Sequence, residues 1–366
     1  MFKAIKIKFN FWADRIIERC DLLLVDACSL SNLFLLIKPI AQWVGDICLL
    51  LKDFPRISAY RLTGNEWNII YVGSEQNLKE MSHLLFLDCY EQIDQPRVCI
   101  WDLKRKTDQW LNQGIDLVIL ELSRAFPFSR NFPTIFSVPT WIQQVLPLPQ
   151  SIDMIVCGNH ALRNKLNRAY REHFKAHFSC DKSDFDHFYY QMYLPFISKR
   201  HKDRALIASY EDQYKRWFKR GGLMIITHHD QPICGCLCYI GRDTCYSVEE
   251  GMSVEEQNPT YHGLNTFMFW EVLKWGRSQG AKVFDFGGTR PWVSDGCYIY
   301  KSRWGAKVVR KKRIIPVWWF AAKNLPASLR EHINRIGFLG EEHNNFYRIE
   351  IVDEGIPGQL KTQPVD

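Results

Sequence analysis

The sequence predicts a mixed α+β chain, a mixed sheet flanked by helices, arranged as two lobes. Three observations lead there. The 366 residues are 46% hydrophobic and 24% charged, enough apolar content for two cores and too much for a disordered chain. Stretches of helical and of strand-like apolar periodicity follow one another along the chain. The charge is uneven: residues 1–150 balance at 16 Lys and Arg against 16 Asp and Glu, so the whole net charge of +7 lies in 151–366, with 31 basic and 24 acidic side chains. An anionic ligand is therefore expected on the second half.

The first half reads as short strands and one clear helix. Tyr60 to Leu62 and Trp67 to Gly73 form the arms of a hairpin about Gly64-Asn65. A helix is expected from Glu75 to Leu87, then strands at Val98 to Trp101, Leu117 to Leu120 and Ile135 to Val138. Pro139, Pro147 and Pro149 bracket a segment read as the connection between lobes. The expected division is a first lobe at 1–150, a second at 151–350 and a tail at 351–366.

Leu22 to Leu51 is apolar, but Asp26, Lys38 and Asp46 interrupt it. Its longest charge-free run, Ala27 to Ile37, has 11 residues, short of the roughly 20 that span a bilayer. No transmembrane segment is expected, and Asp14, Glu18, Asp21 and Asp26 break any secretory apolar core. The twelve cysteines sit mostly inside apolar runs, which suits buried thiols in a reducing compartment, so a cytoplasmic protein is expected. Cys234, Cys236 and Cys238 alternate along one strand face and read as core, a poor arrangement for tetrahedral zinc; no metal is expected.

The second half has a clear order of elements. A basic helix covers 159–174, with Arg163, Lys165, Arg168 and Arg171, before a strand from Lys175 to Cys180. Helices follow from Phe185 to Ile197 and from Ser209 to Lys219, the second stopped by Gly221-Gly222. Leu223 to His228, Ile233 to Tyr239 and Thr244 to Glu250 form an antiparallel meander. Leu264 to Ser278 places Leu264, Phe267, Met268, Val272 and Trp275 on one helical face, and Ala281 to Phe286 is a central strand. A last strand is expected within Lys307 to Trp319.

This order, with Gly280-Ala281-Lys282-Val283-Phe284-Asp285-Phe286-Gly287 and the run from Asp295 through Tyr300-Lys301-Ser302-Arg303-Trp304-Gly305-Ala306, resembles the carboxy-terminal half of FemAB-like GNAT acyltransferases. Phe185 to Pro195 and Gly222-Leu223-Met224 extend the resemblance, which spans about 155–320. It implies two GNAT-like lobes, the first degenerate, and transfer of an acyl group to an amine-bearing acceptor. The implied donor is acyl-CoA or an acyl carrier protein; an aminoacyl-tRNA is the alternative, as in peptidoglycan-type aminoacyl transfer.

The resemblance, together with where these residues fall on the predicted strands, helix start and loops, suggests roles. Lys301 matches the Lys of the family's aromatic run, where an ammonium would hold oxyanion or donor phosphate charge. His262, Gly263, Leu264 and Asn265 open the helix whose free N–H groups would cap a donor anion. This loop has Gly263 alone and no flanking Arg, unlike the usual family loop. Arg290, in a loop with Trp292 that would line the cleft, and Arg303 are further anion ligands. Glu249, Glu250 and, in reserve, Asp285 are candidates for the base that takes the amine proton. Residues 301–313 hold seven Lys and Arg and no acid, so a non-catalytic module that docks RNA or an anionic membrane is the rival reading.

Overall fold

The structure is a computed structural model that describes residues 56–364 apart from 65, 88, 124–133, 203–204, 254–260, 311–314, 343–344 and 353–359. The apolar stretch at 22–51 and part of the basic run at 301–313 thus lie outside the described residues. The chain forms two compact units, residues 1–142, 289–298 and 308–366 in one and 143–288 and 299–307 in the other. The sequence alone suggests a single division near residue 150; in the structure the first unit takes up the chain again after the second has been built.

The first unit opens with β1 (Arg56–Thr63) and β2 (Asn68–Val72), the antiparallel hairpin expected about Gly64. Helix α1 (Glu75–Phe86) follows, started by Ser74, whose side chain accepts from the Asn77 N–H, and ended by Leu87 in a left-handed conformation. Then come β3 (Glu91–Cys99), α2 (Leu103–Asn112), β4 (Leu117–Leu122) and β5 (Thr134–Pro139). β2 and β4 run parallel, and all six residues of β4 are buried, as a strand covered on both faces requires.

In the second unit, β6 (Ile142–Pro147) occupies the segment read as a connection between lobes. Prolines sit where a strand tolerates them, at the ends of β5 and β6, and the boundary between the two units falls between them, at Ile142 and Gln143. Helix α3 (His160–Arg171) is capped by Asn159, which accepts from the Leu162 N–H, and β7 (Lys175–Ser179) follows. A continuous helical stretch then runs through α4 (Lys182–His187), a π-helical segment Phe188–Tyr193 and α5 (Leu194–His201). A second helical stretch at 210–220 also contains a π segment, Gln213–Trp217. Strands β8 (Gly222–His228), β9 (Gln231–Gly241) and β10 (Thr244–Met252) are the predicted meander; Asp230 and Arg242 take left-handed conformations at its two turns. Helix α6 (Leu264–Ser278), β11 (Val283–Thr289) and α7 (Gly296–Ser302) complete the predicted order.

The second sheet has the order β12-β6-β11-β10-β9-β8-β7, with β12 at Lys307–Val309. Its core packs α3 and α6 against β8 to β11, with Cys234, Cys236, Cys238 and Cys245 buried among Phe267, Met268 and Phe284. Burial pushes the Cys236 thiol up to about 12, consistent with its expected role as a small apolar group.

The remaining chain returns to the first unit. The single strand expected within 307–319 is two: β12, and β13 (Val317–Ala321), which lies between β4 and β5 and pairs antiparallel with both, giving the order β3-β1-β2-β4-β13-β5. Helix α8 (Ala327–Ile336) and the sheet β14 (Leu339–Glu342), β15 (Asn345–Ile351) and β16 (Leu360–Pro364) follow. The segment expected as a tail thus contains a paired strand. Trp292, placed by the sequence in an open cleft loop, is buried instead, bridged to Phe338 and packed on Trp318.

Candidate active site

The site begins with a divergence of strands. β10 and β11 pair in parallel over Thr244↔Val283, Cys245↔Phe284 and Tyr246↔Asp285 only, although β10 continues to Met252 and β11 to Thr289. Just beyond the last pair, the β9–β10 register slips between Ser247 and Glu249, leaving Val248 as an extra residue. Such a bulge bends its strand and turns the side chains that follow it. A gap opens between two parallel strands, and the two glutamates stand at its edge.

Glu249 and Glu250, both half-buried, point to different neighbourhoods. Glu249 acts on Tyr193 in the π segment, where burial first and then this carboxylate push the phenol up. Glu250 acts on Cys236 and Tyr300, whose hydroxyl burial likewise pushes up. Gly251 lets the strand approach the π segment closely: a Cβ there would lie 2.6 Å from the Tyr193 nitrogen and 2.7 Å from its Cα.

Past the end of β10, α6 starts at Gly263, whose φ of 96° puts it in the region open to glycine. A Cβ at that position would lie 2.7 Å from the Lys165 carbonyl oxygen, so α3 presses directly against the helix start. Gly263 has no side chain to cap the first turn, and the first intrahelical bond is Phe267 N–H to Gly263 O at 2.8 Å. The N–H groups of the first turn are thereby left for another acceptor. They border a cavity of about 510 Å³ lined by Lys165, Arg168, Met252, Asn265, Thr266 and Tyr300, among others. The Asn265 Oδ1 atom is buried there without a hydrogen-bond donor.

Other predicted site residues are held more tightly. Lys301 is buried, and its Nζ donates to Gly288 O at 2.8 Å and Gly287 O at 3.4 Å. The ammonium thus closes the end of β11. Asp285 is 2% exposed and accepts from the Gly287 N–H at 2.8 Å and from the Gln143 side-chain amide, the position of an anchoring carboxylate more than of an open base. His262 and Arg303 are exposed, and the Arg303 carbonyl accepts from Asn159 Nδ2 at 2.6 Å.

Arg290 belongs to the first unit, where it is buried among several partners. Nη1 donates to Asn77 Oδ1 at 3.1 Å and to Thr140 O at 3.2 Å, Glu80 lies 3.9 Å away, and the guanidinium stacks 4.1 Å from the Trp141 ring centroid. The expected loop ligand is thus a buried, partnered cation whose Nη2 has no hydrogen-bond acceptor. Asn77 in turn donates to Glu121 Oε1 at 2.7 Å, and Glu121 Oε2 accepts from Tyr71 OH at 2.6 Å, Ser74 N at 2.9 Å and Ser74 Oγ at 2.8 Å. Sequence reasoning missed this network because Tyr71, Glu121 and Arg290 are far apart in the chain. It also left the basic stripe of 159–174 unassigned; only the fold puts Lys165 and Arg168 at the α6 start, where the family's loop Arg is missing. Among the described residues no group of three or more His, Cys, Asp or Glu is placed to hold a metal.

Residues 160–302 match the family model described as an acetyltransferase (GNAT) domain. No curated protein matches the sequence. Among solved structures the chain is similar to that of FemX, with 13% identity, 76% of this chain and 91% of that chain covered and a TM-score of 0.40. It is also similar to the C-terminal domain of a putative lysylphosphatidylglycerol synthetase from Agrobacterium fabrum (11%, 85% and 93%, TM-score 0.38) and to L-PGS from Bacillus licheniformis (14%, 76% and 86%, TM-score 0.37). The matched residues contain the meander, the divergent strands, the Gly263 helix start and Lys301: this stretch of the chain, 160–302, is a GNAT acyltransferase domain, to which its FemAB-like runs pointed.

Proposed function

We propose that the second unit acylates an amine by direct attack on a carrier-borne acyl group, the carrier's anionic part lying at the start of α6. The observation that carries this reading is the cavity at an uncapped helix start flanked by Lys165 and Arg168. A thioester of coenzyme A or of an acyl carrier protein bears phosphate at the far end of the pantetheine arm that carries its acyl group, and phosphate suits free first-turn N–H groups and nearby cations. The acyl carbonyl would lie in the gap between β10 and β11, beside the bulge at Val248, where a backbone N–H would stabilise the developing oxyanion.

The amine nitrogen forms the new C–N bond, the carrier's C–S bond breaks, and the amine proton passes to Glu249 or Glu250 while the thiolate leaves and is reprotonated. Lys301 is a positioning residue in this scheme, since its ammonium holds the β11 carbonyls that border the gap. An aminoacyl-tRNA would offer the same phosphate chemistry through an ester, with C–O cleavage in place of C–S.

Native mass spectrometry of the whole chain, with short and long acyl-CoA thioesters, acylated carrier protein and aminoacyl-tRNA, tests the proposal. Retention of a thioester, weakened in Lys165→Glu, is expected. Retention of aminoacyl-tRNA alone would replace the thioester donor, and retention of none would overturn the reading.

A further inference from the structure

We propose that the second unit docks on an anionic lipid surface through the Leu206-Ile207 loop. These neighbouring aliphatic side chains are 50% and 47% exposed, and nearby Tyr190 is 53% exposed. Single exposed apolar residues need no explanation, but two adjacent ones held outward on a fixed loop do.

The loop is fixed from beneath. Tyr193 OH accepts the Ala208 N–H at 2.9 Å, and Tyr189 OH donates to Ala208 O at 3.2 Å, so one residue beyond Ile207 the chain is tied to the π segment at both backbone groups. Two residues further on, Tyr210 stacks with Tyr190 at 5.8 Å and with Tyr214 at 5.9 Å. Tyr210 OH also donates to Asp186. The aliphatic tips therefore cannot retreat into a core without breaking this arrangement. Helix α5, which precedes the loop, has no buried residue.

The surroundings are cationic. Between Lys199 and Arg220 the sequence has eight Lys and Arg against three Asp and Glu; Lys215 pairs with Glu211 at 2.7 Å and Arg216 with Asp212 at 3.5 Å, and the excess of positive charge rests on the others. Exposed aliphatic side chains in a stretch of chain rich in long cations suit the interface of an anionic bilayer: the tips enter the acyl region, tyrosine sits at headgroup level, and lysine stems extend so that their charges meet phosphate. RNA would ask for open aromatic faces in a basic groove, whereas here the rings stack on one another and the projecting groups are aliphatic. Apolar contact and charge together supply the two signals that stable peripheral attachment needs.

Co-sedimentation of the full chain with vesicles of phosphatidylglycerol in phosphatidylcholine, beside vesicles of phosphatidylcholine alone, tests this. Retention on the anionic vesicles only, falling as salt is raised, is expected. Replacing both aliphatics in Leu206→Ser with Ile207→Ser should weaken retention by roughly tenfold or more. Lys202→Gln with Lys219→Gln should weaken it by roughly thirty-fold, from about one surface-charge contribution per lysine. Hydrogen exchange of the unmodified chain gives a reading that does not depend on any variant folding: amides of 205–209 should slow when anionic vesicles are added. Equal retention on both vesicle types, retention unchanged by the double serine substitution, no change in exchange, or capture of RNA in place of vesicles would each overturn the proposal. Donor binding is read separately, so this outcome and that of the acyl-transfer proposal stay distinguishable.

Discussion

The Lys301 ammonium donates to the Gly288 carbonyl across 2.8 Å, so a buried cation 13 residues further along the chain closes the strand that borders the proposed acyl site. Lys301→Met keeps the volume and removes the donor, leaving the carbonyls of Gly287 and Gly288 without it. A hydrogen bond to a charged group contributes about 1.5–3 kcal/mol, so the urea midpoint should fall accordingly. Turnover should drop as well; a variant with lower stability and full turnover would separate Lys301 from the reaction.

At Gly263 the backbone and its neighbour act together. Gly263→Ala places a side chain at a φ of 96° and 2.7 Å from the Lys165 carbonyl. The conformation alone costs about 1–2 kcal/mol, and the helix start must shift away from α3. Donor affinity, followed by titration calorimetry, should fall about tenfold, as 1.4 kcal/mol corresponds to one decade.

The Glu121 network predicts a stability effect confined to the first unit. Glu121→Gln exchanges a charged acceptor for a neutral one opposite Tyr71, Ser74 and Asn77, at a cost of about 1.5–3 kcal/mol in chemical denaturation. Tyr71 should then ionise at lower pH, because the carboxylate that, after burial, pushes its phenol up is gone. Ultraviolet titration at 295 nm reads this directly.

His228 supplies a pH dependence. Burial first, and then His229 with its ring centroid 4.0 Å away, hold the imidazole below its ordinary 6.5, opposed by Glu172; His173 adds to the depression. A depressed histidine is neutral in the folded chain while the unfolded chain binds its proton, so its stability contribution is present above 6.5 and is lost as pH falls through the folded value. His228→Phe, which keeps a ring against Phe174 and Tyr261, should flatten the loss of thermal midpoint on acidification below 6.5. An unchanged slope would assign that loss to other groups.

Thiol reactivity should follow burial. Cys157 and Cys180 are exposed, whereas Cys236 and Cys238 are buried in the second core and pushed up by desolvation. Maleimide labelling with peptide mapping should modify the first two in the native chain and the second two only after unfolding.

Local features were the legible ones. The hairpin at Gly64, α1, the meander and α6 each follow from a periodicity or turn residue inside the element itself, and the structure has them where the pattern does. Long-range placement was not legible. Val317–Ala321 is a short apolar run that fits many sheets, and nothing in five residues names β4 and β5 as its partners. The same limit divides the site: Gly263, Glu249, Glu250 and Lys301 are visible as motif positions, while Lys165 and Arg168 acquire meaning only when α3 lies against the start of α6. Arg290 shows the reverse, since a loop arginine reads as a ligand until Trp141, Asn77 and Thr140 are found around it.

The position of β13 sets an order of events for a chain emerging from the ribosome. β4 and β5 are made before the strand that joins them, and nearly 180 residues separate Pro139 from Val317. Until that strand arrives, the first sheet has two interior edges open to other chains, which is the condition that favours mispairing. The second unit can complete its meander in that interval, since all of its strands from β7 to β11 precede residue 290. A nascent chain that has reached residue 300 thus holds a finished meander and a split first sheet, and the strand that joins the two halves is made only after it.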